Sequence, residues 1–152
     1  MYLLDTNILA SEILKKYEQD QKTLLYRHFL NSISLEKRIV SDFILGEFET
    51  FMLRVVPKRY KMAETEKNDL IAVTHAHLAK LIELCTMENT TNSIVTQALS
   101  IYQKYAHIHY INFTDSLFLS CAQANGYTIL SQDQRLTARA KELKIKFWQP
   151  ES

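Results

Sequence analysis

The first seven residues, Met1-Tyr2-Leu3-Leu4-Asp5-Thr6-Asn7, constrain the fold more than any other stretch. Tyr2, Leu3 and Leu4 are apolar without alternation, so neither face of the segment is suited to water. A short apolar run bounded by polar turn residues fits a buried strand of a parallel sheet. Asp5 then stands at the carboxyl end of that strand, and ligands of open α/β sheets bind in the crevice outside such ends. Taken alone, Asp5 or Asn7 needs no role beyond capping the next helix. A chemical role requires partners, so the question is whether the chain supplies other acids at equivalent places.

A chain of 152 residues fits a single domain, 1–152, with enough length to bury a real core. Only two glycines and two prolines are present, which disfavours long irregular loops and favours helices. The formal net charge of +1 exerts no general pull on polyanions, so any nucleic-acid contact has to come from a local basic patch. Asp5 and Asn7 interrupt the first apolar run, so it does not read as a signal peptide, and no stretch is long and apolar enough to span a bilayer. Cys85 and Cys121 lie in apolar surroundings and read as buried free thiols of a reducing, cytoplasmic environment.

In chain order, the periodicity predicts helices over Ile8 to Lys16 and Thr23 to Ser32, then a short strand at Arg38-Ile39-Val40. Ser41 is a good N-cap for a helix from Asp42 to Val55, which Pro57 is expected to stop. Lys58 to Asp69, dense in charges of both signs, reads as a loop. Helices follow over Leu70 to Leu84, Ser93 to Ala106 and Asn112 to Asn125, the last ended by Gly126 as a C′ residue. Tyr127 to Leu130 reads as a strand, Arg135 to Leu143 as a helix and Ile145 to Trp148 as a last strand. Alternating strands and helices imply an α/β fold with a mostly parallel central sheet flanked by helices.

Three further acids stand out. Asp115 falls in the first turn of a helix that Asn112 can cap, where the helix dipole favours a carboxylate. Asp133 follows the strand ending at Leu130, the same relation that Asp5 bears to the first strand; alone, it is an N-cap or turn residue. Glu47 and Glu49 lie at opposite edges of the apolar stripe of one helix, and periodicity does not choose between them. Acids converging on one rim without matched bases would raise one another's pKa values. A hard divalent cation relieves that repulsion: Mg²⁺ or Mn²⁺ takes oxygen ligands, keeps waters and is completed by substrate phosphates. The five histidines form no zinc set, because His75 and His77, like His107 and His109, are spaced to face different ways on a helix.

The pattern resembles the PIN-domain nucleases, the family that includes VapC-type toxins of toxin–antitoxin pairs. The resemblance rests on Leu3-Leu4-Asp5-Thr6-Asn7-Ile8-Leu9, on Val40-Ser41 through Glu47, and on Thr114 to Asp133, and it covers nearly the whole chain. It implies a PIN-like three-layer fold and a Mg²⁺- or Mn²⁺-dependent endoribonuclease. It assigns Asp5, Glu47, Asp115 and Asp133 as the catalytic, metal-binding acids, so it favours Glu47 over Glu49. Thr6 and Ser131 become polar neighbours that orient carboxylates or water. It also implies an RNA substrate, a cognate antitoxin, a homodimer with a groove for a partner helix, and no membrane. Ser131 departs from a frequent Thr but keeps the hydroxyl. Gln134-Arg135-Leu136 departs from a more usual acidic-aromatic continuation, and the Arg54 to Leu84 region is long for a compact VapC-like toxin.

Lys15, Lys16, Arg54, Lys58, Arg59, Arg135 and Arg139 are candidates for phosphate contact, set against a plain solvated role for each. Two other classes fit parts of the same pattern. One is a catalytically inactive PIN-like scaffold that binds RNA or protein; the presence of all four acids weighs against it. The other is an α/β phosphohydrolase with a strand-end Asp nucleophile. That chemistry usually places a second acid two residues on, where this chain has Asn7.

Overall fold

A computed structural model describes residues 1–151, apart from the side chain of His109. Ser152, the last residue of the expected domain, and the expected orientation of His109 relative to His107 lie outside the described residues. The core element is β1 (Tyr2–Leu4), whose Leu3 and Leu4 are almost completely buried. It is paired on one side with β2 (Arg38–Ser41) and on the other with β4 (Thr128–Leu130). The edges are β3 (Thr86–Glu88) beside β2 and β5 (Phe147–Trp148) beside β4. All pairings are parallel, in the order β3-β2-β1-β4-β5. The sheet thus grows outward from β1 in both directions, and the crevice between β1 and β4 is the topological switch point where such folds place ligands.

Helices α1 (Thr6–Ile13), α2 (Gln21–Ser32), α3 (Asp42–Thr50), α4 (Val56–Arg59), α5 (Glu64–Leu84), α6 (Asn92–His109), α7 (Phe113–Asn125) and α8 (Gln134–Glu142) connect and flank the strands. The result is the expected three-layer α/β arrangement. Ile8, Leu9, Ile44, Phe48, Phe118, Leu119 and Leu136 seal the helices onto Leu3, Leu4, Ile39, Val40, Ile129 and Leu130. Each fully buried side chain of this size contributes roughly 1.5–3 kcal/mol. The α7 boundary follows its sequence signals: Asn112 and Asp115 form a reciprocal capping box, and Gly126 closes the helix at φ 69°. Cys121 is buried, Cys85 is partly buried, and both are free thiols.

Several expectations need correction. Pro57 does not stop the helix that begins at Asp42. It sits at the second position of α4, where its missing N–H is not needed. The preceding turn, Phe51–Val55, widens to π geometry, and the Val56 N–H reaches the Phe51 carbonyl. The chain breaks only after α4, at Lys61 with φ 50°. The supposed charged loop is largely helical as well, because α5 starts at Glu64. Glu64 and Glu66 suit a helix N-terminus, and Lys67 pairs with Glu64 at 2.8 Å one turn away. Charge density there marks a solvated helix, not a loop. Ser41 precedes α3 as expected but makes no capping bond. Asp42 instead accepts from the Phe43 N–H at 2.8 Å and holds Thr90. Strand β3 carried no sequence signal. It is a three-residue edge with one neighbour and a polar Thr-Met-Glu sequence.

Candidate active site

Asp5 leaves the carboxyl end of β1 and caps α1, accepting the Thr6 N–H at 2.7 Å. The capping reading is therefore correct, and it is incomplete. The second carboxyl oxygen, Oδ2, accepts from Asn7 Nδ2 at 2.8 Å and from the Ser131 hydroxyl, which arrives from the end of β4. Ser131 also accepts the Asp133 N–H at 3.0 Å, and Asn7 Oδ1 accepts the Gln132 N–H at 3.0 Å. A hydrogen-bonded bridge thus joins the ends of the two central strands. Asp133 caps α8, accepting from the Arg135 N–H at 2.8 Å and the Leu136 N–H at 3.4 Å.

Glu47 approaches from α3 and Asp115 from the first turn of α7. The α6–α7 hairpin that carries Asp115 is pinned by a buried bond from Ser120 Oγ to the Ile94 carbonyl at 2.8 Å. Charge effects link the acids stepwise, with Glu47 and Asp115 acting on Asp5 and Asp133 acting on Asp115. Asp5 is pushed up to about 7, chiefly by desolvation; Ser131 opposes the rise, and the charges of Glu47 and Asp115 add to it. Asp5 keeps a partly exposed edge, yet protein atoms crowd its carboxyl closely enough for desolvation to dominate. Glu47 is raised by burial and by Asp115. Asp115 is raised by burial, lowered by its capping bond to Asn112, and raised by Asp133. Of the two glutamates that periodicity left open, Glu47 is the one whose charge acts on Asp5.

Arg135 is a nearby base that modifies the expectation of unmatched acids, and Lys22 Nζ reaches the Gln132 carbonyl at 3.2 Å beside them. Arg135 lowers Asp115 and stands 3.8 Å from Asp133, but at 69% exposure it screens weakly. Thr6 Oγ1 is buried without a well-formed hydrogen bond, although it faces Glu47 and holds that carboxylate down. An orphaned hydroxyl beside charge-repelled acids fits a site that takes a hard cation and its waters. Among the described residues, no three His, Cys, Asp or Glu side chains already stand close enough to form a finished metal cage. Mg²⁺ does not demand one, since it is commonly held through one or two carboxylates, waters and substrate phosphates.

Sequence reasoning gave Asn7 no role in this site, yet it bridges Asp5 and Gln132. Its position two residues after a strand-end acid was the available signal. The basic candidates are dispersed. Arg54 and Lys58 line a groove of about 730 Å³ with Lys61 and Lys67. Arg59 lies over the Phe51 ring, and Lys16 lies over Tyr17. Arg139 is engaged with Glu142 at 3.1 Å and with the face of Tyr105. Lys15 lines a separate cavity with Arg38 and Lys80.

A parallel sheet with acids gathered at its central switch point is an arrangement that several phosphate chemistries could use. Residues 2–142 match the model of the PIN domain, and the chain belongs to that family. Its fold is shared by FitAcB from Neisseria gonorrhoeae, with a TM-score of 0.70 at 19% identity over 99% of this chain and 98% of the other. It is similar to the Mycobacterium tuberculosis toxin VapC20, which cleaves the sarcin-ricin loop, with a TM-score of 0.68 at 16% identity over 99% and 100%. VapBC2 from Rickettsia felis, bound to a DNA fragment from its promoter, gives 0.60 at 15% identity over 97% and 96%. No curated protein matches the chain by sequence.

Proposed function

We propose that this protein is a divalent-metal-dependent endoribonuclease, the toxin of a toxin–antitoxin pair, with Asp5, Glu47, Asp115 and Asp133 as its catalytic acids. The observation that carries the reading is the hydrogen-bonded bridge of Asp5, Ser131 and Asp133 at the β1–β4 switch point of a PIN fold, where burial and the neighbouring charges of Glu47 and Asp115 raise Asp5. Membership of the family and likeness to an RNA-cleaving toxin support the substrate class.

Bound Mg²⁺ or Mn²⁺ would supply Lewis acidity toward an RNA phosphate and an activated water. The four carboxylates would hold the ion, and none is assigned as a covalent nucleophile. Ser131 and Asn7 fix the Asp5 carboxyl by donating to Oδ2, so its orientation is set before substrate arrives. Thr6 Oγ1, without a protein partner of good geometry, is placed to accept or donate to a water near Glu47. The phosphohydrolase alternative loses support here. The position two residues after Asp5 holds an amide that is committed to Asp5 and the Gln132 N–H.

The relatives support a protein partner, since VapBC2 and a Klebsiella pneumoniae toxin–antitoxin complex share the fold. The 730 Å³ groove pairs apolar walls, Leu53, Pro57, Leu70 and Ile71, with Arg54, Lys58 and Lys61, while Lys67 is neutralised by Glu64 on the same wall. The groove suits an amphipathic partner helix with acidic flanks. Val95, Leu99 and Tyr102 leave an exposed apolar stripe on α6, beside Phe113, which supports a homodimer. Among the described residues no helix is long and apolar enough to cross a membrane, and the cytoplasm is the proposed site of action. The test is RNA cleavage with Mg²⁺ or Mn²⁺. Cleavage that stops in chelator and in Asp115→Asn supports the reading; equal cleavage in chelator, or none with either ion, contradicts it.

A further inference from the structure

A cavity of about 490 Å³ opens next to the acid cluster, between the α1–α2 connection and the Phe51–Tyr60 stretch. It is within the roughly 300–1,000 Å³ of small-molecule sites. Asn7 and Gln132 form its shared wall with the acids: Asn7 bonds Asp5, and Gln132 follows Ser131 in the chain. The opposite wall is aromatic. Tyr17 and Tyr60 stack with ring centroids 4.6 Å apart, and the Arg59 guanidinium covers Phe51 at 5.2 Å.

The polar groups facing the cavity set its chemistry. Glu18, Asp20 and Arg59 line it, so a phosphate would meet two carboxylates against one cation. A neutral, flat, donor-bearing group suits it better. Glu18 Oε1 accepts from the Tyr60 hydroxyl at 3.3 Å, and Oε2 has no hydrogen-bond partner among the described residues. Thr23 Oγ1 gives its one proton to Asp20 Oδ2 at 2.7 Å and lies 3.0 Å from the Gln132 side-chain amide, so that amide is engaged; the Arg59 guanidinium, which also lines the cavity, supplies the donors. The cavity therefore offers a paired acceptor on Glu18, a donor fork on Arg59 and an aromatic wall. Guanine presents the complement, with N1–H and the N2 amine as adjacent donors and O6 as an acceptor. Uracil carries one N–H between two acceptors, and adenine and cytosine each pair one amine with an acceptor. An extruded single-stranded base is read in this way, by stacking and by its Watson–Crick edge.

We propose that this cavity is a nucleobase subsite that selects guanine in the bound RNA, beside the bond to be cleaved. The proposal rests on the ribonuclease reading above. Glu18 is a specificity residue, Arg59 its donor counterpart, and Tyr17 and Tyr60 the stacking wall.

The experiment measures fluorescence anisotropy of three labelled short oligouridines in chelator: one all uridine, one with a central guanosine, and one with a central inosine, which lacks the N2 amine. Wild type should bind the guanosine RNA about 10-fold more tightly than the other two. Glu18→Gln should lose that preference while binding the all-uridine RNA as wild type does, which also reports a folded variant. Equal binding of guanosine and uridine RNAs by wild type overturns the proposal and leaves the cavity to a partner polypeptide. Retention of the preference in Glu18→Gln overturns it too. Cleavage of the same RNAs with Mg²⁺ separates the two readings. Cleavage indifferent to guanosine removes the subsite and keeps the nuclease, whereas guanosine-dependent binding without cleavage removes the nuclease alone. Binding of no RNA counts against both.

Discussion

Ser131 Oγ donates to Asp5 Oδ2 while accepting the Asp133 N–H at 3.0 Å, so one buried hydroxyl ties together acids from opposite ends of the chain. It is among the groups that hold Asp5 down against desolvation. Ser131→Ala should therefore raise Asp5 above its value of about 7 and leave Oδ2 one donor short. Loss of a hydrogen bond to a charged group costs roughly 1–3 kcal/mol. Urea unfolding at pH 8 should show a loss in that range, and an unchanged midpoint would mean that the bridge contributes nothing.

The raised acids make metal-free stability depend on pH with a definite sign. Asp5 goes from an ordinary 3.8 in the unfolded chain to about 7 in the folded one. The folded state then binds the extra proton, so the stabilisation is complete below about pH 4 and disappears as pH rises through 7. Glu47 and Asp115 are shifted in the same direction. In chelator, the melting temperature should fall between pH 5 and pH 8. A rise across that window would contradict the assigned burial of these carboxyls.

Glu47→Gln removes one of the repelling charges without removing a well-formed hydrogen bond. It should melt higher than wild type in chelator, by on the order of 0.5–2 kcal/mol. Asp5→Asn is a poorer version of this test, because an amide NH₂ at the Oδ2 position would face the Asn7 donor. A lower melting temperature for Glu47→Gln in chelator would count against charge crowding at the site.

The sequence made β1, β4 and the α7 caps readable, because each is marked by local chemistry: an unbroken apolar run, an Asn-x-x-Asp box, a Gly at positive φ. It made the four acids readable as a set, since their places after strands and at a helix start follow from those elements. It left Glu47 and Glu49 unresolved by periodicity alone, because both edge the same stripe and only tertiary packing turns one toward Asp5. The α4 region was misread because Pro57 acts through its position in a helix, and the widened turn before it has no sequence mark. β3 was invisible because its pairing with β2 is wholly a tertiary fact.

Gly126→Ala tests a local reading that did hold. At φ 69° an alanine would be strained by about 1 kcal/mol, although nothing stands within 4 Å of the added carbon. Thermal unfolding should show a small loss with RNA cleavage intact, and a stabilised variant would contradict the left-handed cap.

If these acids form one cation site in the folded protein, melting across a Mg²⁺ series will separate Asp115→Asn from wild type and from Glu49→Gln. Asp115→Asn keeps an oxygen for the Asn112 N–H, so its fold should survive. An ion that binds the folded state raises stability as its concentration grows. Wild type and Glu49→Gln should gain stability in parallel with added Mg²⁺, while Asp115→Asn stays nearly flat. It should also lose RNA cleavage by more than the ~10–100-fold that an outer-shell change costs. Three parallel curves would contradict the account, because the acids would then be helix caps and nothing more.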